Sequence, residues 1–143
     1  MYKINIFIIS IIVLLSNLSC GQTVEHTIET KQSLFDKEVL LRHIETLSSD
    51  SFEGRRTGTE GAKKAKNYII NQFYSLNVSP LIKDYEQPFQ FEYEGKNYNG
   101  INVLGFIKGT IHPKQYIVIS AHYDHEGIKQ GLIYNGADDN ASG

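Results

Sequence analysis

Between Asp36 and Leu76 the apolar residues recur at steps of three and four; from Phe89 onwards they alternate or run together. The first period is that of a helix with one buried face, the second that of strands. Val39, Leu40, Ile44 and Leu47 predict a helix to about Leu47, with Asp36 as its N-cap. The stretch SSDSFEGRRTG, 48–58, breaks the pattern with Ser, Asp and Gly and reads as a loop. A second helix follows, and Thr57 and Glu60 have the spacing of its capping box. Ala62, Ala65, Ile69, Phe73 and Leu76 form its core-facing stripe. Asn77 suits the left-handed residue that ends a helix, and Pro80 discourages continuation. Phe89, Phe91 and Tyr93 then alternate with polar residues, as in a half-buried strand. Glu94-Gly95-Lys96 predicts a turn, and Ile101 to Ile107 the returning strand. After a loop, Lys108 to Lys114, comes YIVISA, Tyr116–Ala121, almost continuously apolar, the pattern of a strand buried on both faces. The class predicted is α/β.

The start of the chain departs from this pattern. Lys3 is the only charge before Glu25, and Ile6 to Leu15 is apolar apart from Ser10. That run is short for a bilayer span and reads as the core of a signal peptide, residues 1–20. It ends at Cys20, the only cysteine, which can make no internal disulfide. The sequence before Cys20 resembles a bacterial lipoprotein signal, in which this cysteine is lipidated and becomes the first residue. Leu18 and Ser19 suit that reading; Asn17 stands where an aliphatic residue is usual. The alternative is ordinary cleavage near Cys20, leaving a free thiol. Lipidation would hold the protein on a membrane surface of the cell envelope without spanning it. Residues 21–35 are mostly polar and read as a tether; residues 36–143 are the folded part.

Composition narrows the function. The 143 residues are 41% hydrophobic and 21% charged, with a formal net charge of −2. Without Lys3 the balance is 13 basic against 16 acidic residues. No nucleic-acid partner is implied. The densest basic cluster, Lys63, Lys64 and Lys66, lies on a predicted helix and reads as its solvated face.

The candidate chemistry sits directly after YIVISA, where open α/β sheets gather ligands at the carboxyl ends of their strands. In SAHYDHEG, 120–127, His122 and Asp124 are two apart and project to one side of an extended chain. A metal-bound histidine usually gives its other ring N–H to a carboxylate or carbonyl, so His-x-Asp supplies a ligand and its orienter. Alone the pair is also what a solvated strand cap looks like. NGADDNASG, 135–143, adds weight, because adjacent carboxylates favour a cation beside them. For Asp138 the metal reading is the stronger; Asp139 and Asn140 also read as a solvated turn capping a following helix. Tyr123 and His125 have no assignable metal role; His125 reads as touching substrate or facing water, with water the favoured reading.

AHYDHEG, seven intervening residues, then NGADDNASG resembles the two-zinc aminopeptidase family of metal-dependent exopeptidases. The earlier LSSDSFEGRRTGTEGAKKAKNYIINQF, 47–73, is similar to the segment that opens many bacterial members, so the resemblance runs from about Asp36 to Gly143. It implies a zinc-exopeptidase-like α/β fold, a mixed β-sheet flanked by helices, with two zinc ions and peptide substrates. It makes His122 a zinc ligand, Asp124 the catalytic-site acid behind it, and Asp138 the carboxylate bridging both metals, with a cis peptide bond at Asp138–Asp139. Glu126 departs from the leucine common at its place. The family's general-base glutamate and its remaining ligands come later in the family order than this motif. The expectation is therefore an amino-terminal portion of a longer gene product, inactive alone, with the elements that would cover YIVISA lying beyond Gly143. Rival readings on the same scaffold are a glutaminyl cyclase-like acyltransferase, a carboxypeptidase, and a non-catalytic envelope receptor on a decayed peptidase domain. Nothing in the sequence indicates an oligomeric state.

Overall fold

The computed structural model describes residues 35–143. The expected signal peptide, Cys20 and all of the expected tether but Phe35 lie outside the described residues. Among those described, no helix is long and apolar enough to cross a membrane.

Helix α1 spans Lys37–Leu47, capped as expected by Asp36, whose carboxylate accepts from the N–H groups of Glu38 (2.9 Å) and Val39 (3.2 Å). Only part of its predicted apolar face is used: Leu47 is buried and Ile44 packs beside it, while Leu40 is half exposed. Helix α2 spans Glu60–Ser75. Its cap is Thr59, not Thr57: the Thr59 hydroxyl accepts from Ala62 N–H. The helix ends at left-handed Asn77 (φ 56°), with Val78 N–H donating to Phe73 and Asn77 N–H to Tyr74, the paired bonds of a Schellman motif. Ala62 and Ala65 are buried as the stripe predicts, whereas Leu76 is exposed.

The loop between the helices is wound unusually. Glu53, Gly54 and Arg55 are all left-handed (φ 54°, 64° and 49°). At Gly54 a Cβ would collide with the backbone carbonyls of Gly127 and Tyr134, so glycine is what lets this loop lie against the later part of the chain. Leu47, Ala65 and Ala141 form the buried core, with Ile44, Phe52, Tyr68 and Tyr123 packed on it. Ala141, from the second motif, is thereby anchored to both helices' surroundings.

The strands form three separate two-stranded antiparallel ladders. Strands β1 (Ser79–Pro80) and β4 (Gly105–Phe106) make a short pair. Strands β2 (Glu86–Tyr93) and β3 (Lys96–Val103) form a long hairpin, in register from Glu86 opposite Val103 to Tyr93 opposite Lys96. Its turn is Glu94-Gly95, both at positive φ (49° and 71°), as tight hairpins with right-handed twist require. Strands β5 (Gly127–Lys129) and β6 (Leu132–Tyr134) form a second, shorter hairpin about Gln130-Gly131 (φ 51° and 79°).

Three expectations need correcting. The returning strand ends at Val103 instead of running on to Ile107, and the β2–β3 hairpin is mostly exposed rather than half buried. Tyr116–Ala121 is not a strand: it lies without regular structure, with Ile117 and Ile119 each 94% exposed. A strand covered on both faces needs hydrogen-bonding neighbours and overlying helices. Among the described residues no strand pairs with it; their helices and small antiparallel ladders are compatible with the α/β class, and no single sheet joins the ladders among them.

Candidate metal centre

The β5–β6 hairpin builds the site. Its last pair places Gly127 opposite Tyr134, so the chain leaves in SAHYDHEG and returns in NGADDNASG at nearly the same point. Seven residues of sequence separation become direct proximity. Gly136, left-handed at φ 57°, packs so closely on the His125 ring that a Cβ there would collide with it.

Arg55 locks the two motifs together. Its side chain is fully buried, and its guanidinium donates to four backbone carbonyls: Tyr123 through Nε (2.8 Å), Leu47 and Asn135 through Nη1 (2.7 Å for Asn135), and Gly136 through Nη2 (2.7 Å). Its own carbonyl accepts from His125 N–H at 3.2 Å. One side chain thus holds the residue after His122, the loop entering the Asp-Asp pair and the end of α1. Burial pushes the guanidinium pKa down from its usual value, and the charges of Asp124 and Asp139 oppose that shift. This buried cation supplies part of the positive charge that adjacent carboxylates call for.

The candidate ligating groups lie close to one another. His122 Nε2 lies 3.1 Å from Asp139 Oδ1. On its other side, His122 Nδ1 is 3.0 Å from the Asp124 backbone carbonyl and 3.6 Å from its carboxylate. A carbonyl only accepts, so Nδ1 carries the proton. Nε2 of the neutral ring then points a lone pair at a carboxylate oxygen, an arrangement that is favourable only with a proton or a cation between them. Two ligands about 2.0–2.1 Å from a tetrahedral zinc stand about 3.3 Å apart, close to the spacing seen. The donor set of imidazole and carboxylate fits that ion. The Asp124 carboxylate in turn accepts from the Thr57 hydroxyl at 2.5 Å. Thr57, expected to cap α2, instead fixes the acid behind the histidine.

The structure therefore brings His122 and Asp124 together but not Asp138. Asp138 is exposed, and the contact it makes is a backbone one, its carbonyl accepting from Ser142 Oγ (3.1 Å). The acid facing His122 is Asp139. The physical reason is the wide turn over Ala137–Ala141, closed by Ala141 N–H on the Gly136 carbonyl (3.1 Å), which directs successive side chains differently. The cis peptide bond lies at Asp139–Asn140, not Asp138–Asp139. His125 does not face water either. Its side chain is only 14% exposed, with Nδ1 3.6 Å from Asp139 Oδ2. Burial pushes the Tyr123 hydroxyl pKa up, aided by Asp124 and Glu86, and that hydroxyl donates to the Ile101 carbonyl at 2.6 Å.

Residues 102–143 match the family model of peptidase family M28. The matched stretch holds YIVISA and both motifs, and so includes His122, Asp124 and Asp139. The family-level function is peptide hydrolysis, with peptides as substrates, and M28 peptidases are generally zinc-dependent. Comparison with the curated proteins and with the solved structures produced no match. Among the described residues no three His, Cys, Asp or Glu side chains converge as a complete metal cage. The matched stretch thus carries one histidine and one carboxylate that face each other at 3.1 Å, with His125 beside them.

Arg55, Thr57 and Asp139 are the site residues that sequence reading passes over. The Gly-Arg-Arg-Thr-Gly run offers a faint signal, since arginine is costly to bury and is seldom placed in a glycine loop without a partner. No spacing rule distinguishes Asp138 from Asp139.

Proposed function

We propose that this chain provides one pole of a zinc exopeptidase site, and that the reaction is removal of amino-terminal residues from peptides. The observation that carries this is His122 Nε2 facing Asp139 Oδ1 at 3.1 Å while Nδ1 is committed to the Asp124 carbonyl. His122 and Asp139 would hold the metal. Bound there, zinc supplies a water of lowered pKa and polarises the scissile carbonyl. Asp124 keeps the imidazole in the tautomer that leaves Nε2 free, Thr57 keeps Asp124 in place, and Arg55 holds both loops. Zinc sites draw three or four ligands from the protein, so the remaining ligands and the general base come from outside the described residues.

The complete gene product should release the amino acid from leucine anilide in the presence of zinc, lose that activity on chelation, and leave N-acetyl-leucine anilide intact. Chelator-resistant turnover, or equal turnover of the acetylated compound, would refute the assignment. Asp124→Asn removes the carboxylate 3.6 Å from His122 Nδ1 but keeps the carbonyl that accepts from it, so it should weaken zinc binding by about tenfold, the low end for an outer partner, and Thr57→Val, one contact further out, by no more than that. Zinc calorimetry measures this, and an affinity of Asp124→Asn within twofold of wild type would remove that carboxylate from the site.

We also propose that Cys20 is the lipidated first residue of an envelope-anchored protein, supported by the apolar run that ends at it. Cys20→Ser should move the product from the membrane fraction to the soluble one. Equal incorporation of labelled fatty acid by both forms would exclude the anchor.

A further inference from the structure

The cleft beside His122 and Asp139 contains a cation that the zinc chemistry does not use. Arg56 follows the buried Arg55, but its side chain turns outwards into a cleft of about 350 Å³ shared with His122, Asp124 and Asp139. Its aliphatic stem lies on Gly127, where a Cβ would collide with it. Its guanidinium carbon is 5.9 Å from the centre of the Tyr98 ring, and Nη2 donates to the Tyr98 hydroxyl at 3.4 Å. Tyr98 is itself held, stacked on Phe91 across the β2–β3 hairpin with ring centres 5.3 Å apart and planes within 18°. A flexible side chain is thus seated on a fixed aromatic platform.

No ion pair among the described residues includes Arg56. The neighbouring acids have stronger partners: Glu126 pairs with Lys129 and feels the charge of Arg56 only as a lesser influence, Asp124 accepts from Thr57, and Asp124 and Asp139 both face the charge of buried Arg55. A guanidinium has five N–H donors in a planar fork, and one of them is engaged here. A seated, half-buried guanidinium with donors to spare, facing a concave site, is a carboxylate receptor: planar bidentate pairing is what arginine does better than lysine.

We propose that Arg56, on its Tyr98–Phe91 platform, binds a carboxylate of the peptide substrate within the same cleft as His122 and Asp139. The identity of the ligand as a peptide rests on the exopeptidase reading. The carboxylate can come from the carboxyl terminus of a short peptide or from an acidic side chain. The cleft is at the small end of ligand pockets, which favours the terminus of a peptide of two or three residues. Arg56 is then a specificity residue that selects substrates by charge, separate from the groups that hold the metal.

The test measures binding with turnover held at zero. Leu-Ala, Leu-Ala amide and Leu-Glu amide are titrated calorimetrically into the complete gene product with zinc removed by chelator, using wild type, R56A and R56K. Leu-Ala should bind wild type about tenfold more tightly than its amide, the equivalent of one charge-assisted pair. R56A should abolish that preference, and R56K should keep only part of it. If Leu-Glu amide gains the preference and Leu-Ala does not, the receptor stands and its source is the side chain. Equal binding of all three peptides by wild type, absence of binding by any of them, or a preference that survives in R56A would overturn the proposal. Circular dichroism of R56A and R56K reports whether each is folded. Leucine anilide has no carboxylate, so its zinc-dependent turnover by wild type tests the exopeptidase reading on its own.

Discussion

Arg55→Met is expected to destabilise the protein by about 3–5 kcal/mol, because it takes the donor from several buried carbonyls at once. Methionine fills much of the same volume, so the loss is not mainly one of packing. It comes from the carbonyls of Leu47, Tyr123 and Asn135, which lose the donor shown for them at once, while that of Gly136 keeps the N–H of Ala141. A buried acceptor left unpaired costs about 1–3 kcal/mol, and partial entry of water keeps the total towards the low end of three times that figure. Against a typical stability of about 5–15 kcal/mol this is a large fraction. Arg55→Lys should recover only a minority of the loss, because an ammonium cannot span four carbonyls arranged around a plane. Urea unfolding of the three proteins measures it. A change below about 1 kcal/mol for Arg55→Met would mean that the loops are held by something else. The zinc affinity of Arg55→Lys should also fall, since the carbonyl of Tyr123, the residue after His122, would no longer be tied to that of Gly136.

The second large effect distinguishes the two adjacent aspartates. His122→Ala and Asp139→Asn should each reduce zinc affinity by more than the roughly 100-fold at which outer-partner effects end, and should abolish turnover of leucine anilide. Asp138→Asn should change either quantity by less than about threefold, which corresponds to the ±0.5 kcal/mol usual for an exposed substitution. The contrast follows from geometry alone: Asp139 has one carboxylate oxygen 3.1 Å from His122 and the other 3.6 Å from His125, while the contact shown for Asp138 is through its backbone. If Asp138→Asn removed zinc and Asp139→Asn did not, the turn over Ala137–Ala141 would have to be wound the other way.

The helices are legible in the sequence because their signals are local. Asp36 caps four residues away at most, and the Ala62–Ala65 spacing needs only one turn to bury both. The β2–β3 hairpin is legible for the same reason, through alternation around Glu94-Gly95. His122 and Asp124 are legible because they are two residues apart at one chain segment. What sequence reading misses depends on contacts of long separation or on fine backbone rotation. Arg55 meets Gly136 across 81 positions and Thr57 meets Asp124 across 67. The selection of Asp139 over Asp138 is a matter of how one turn is wound. YIVISA fails for a different reason: its apolar run states what a strand would want around it, not whether those neighbours are present.

The β5–β6 hairpin bears on how proteins with this centre are recognised. Its strands close on each other before the chain reaches Asn135, so the tip at Gln130-Gly131 lies at the far end of the hairpin from the two motifs, with open space around Gly131. Lengthening that tip would leave His122 and Asp139 where they are. The count of residues between the two motifs is therefore free to drift, while the pairing of Gly127 with Tyr134 is not. A pattern search with a fixed gap would discard chains whose centres superimpose on this one; a pattern that allows any gap able to fold back as a hairpin would keep them.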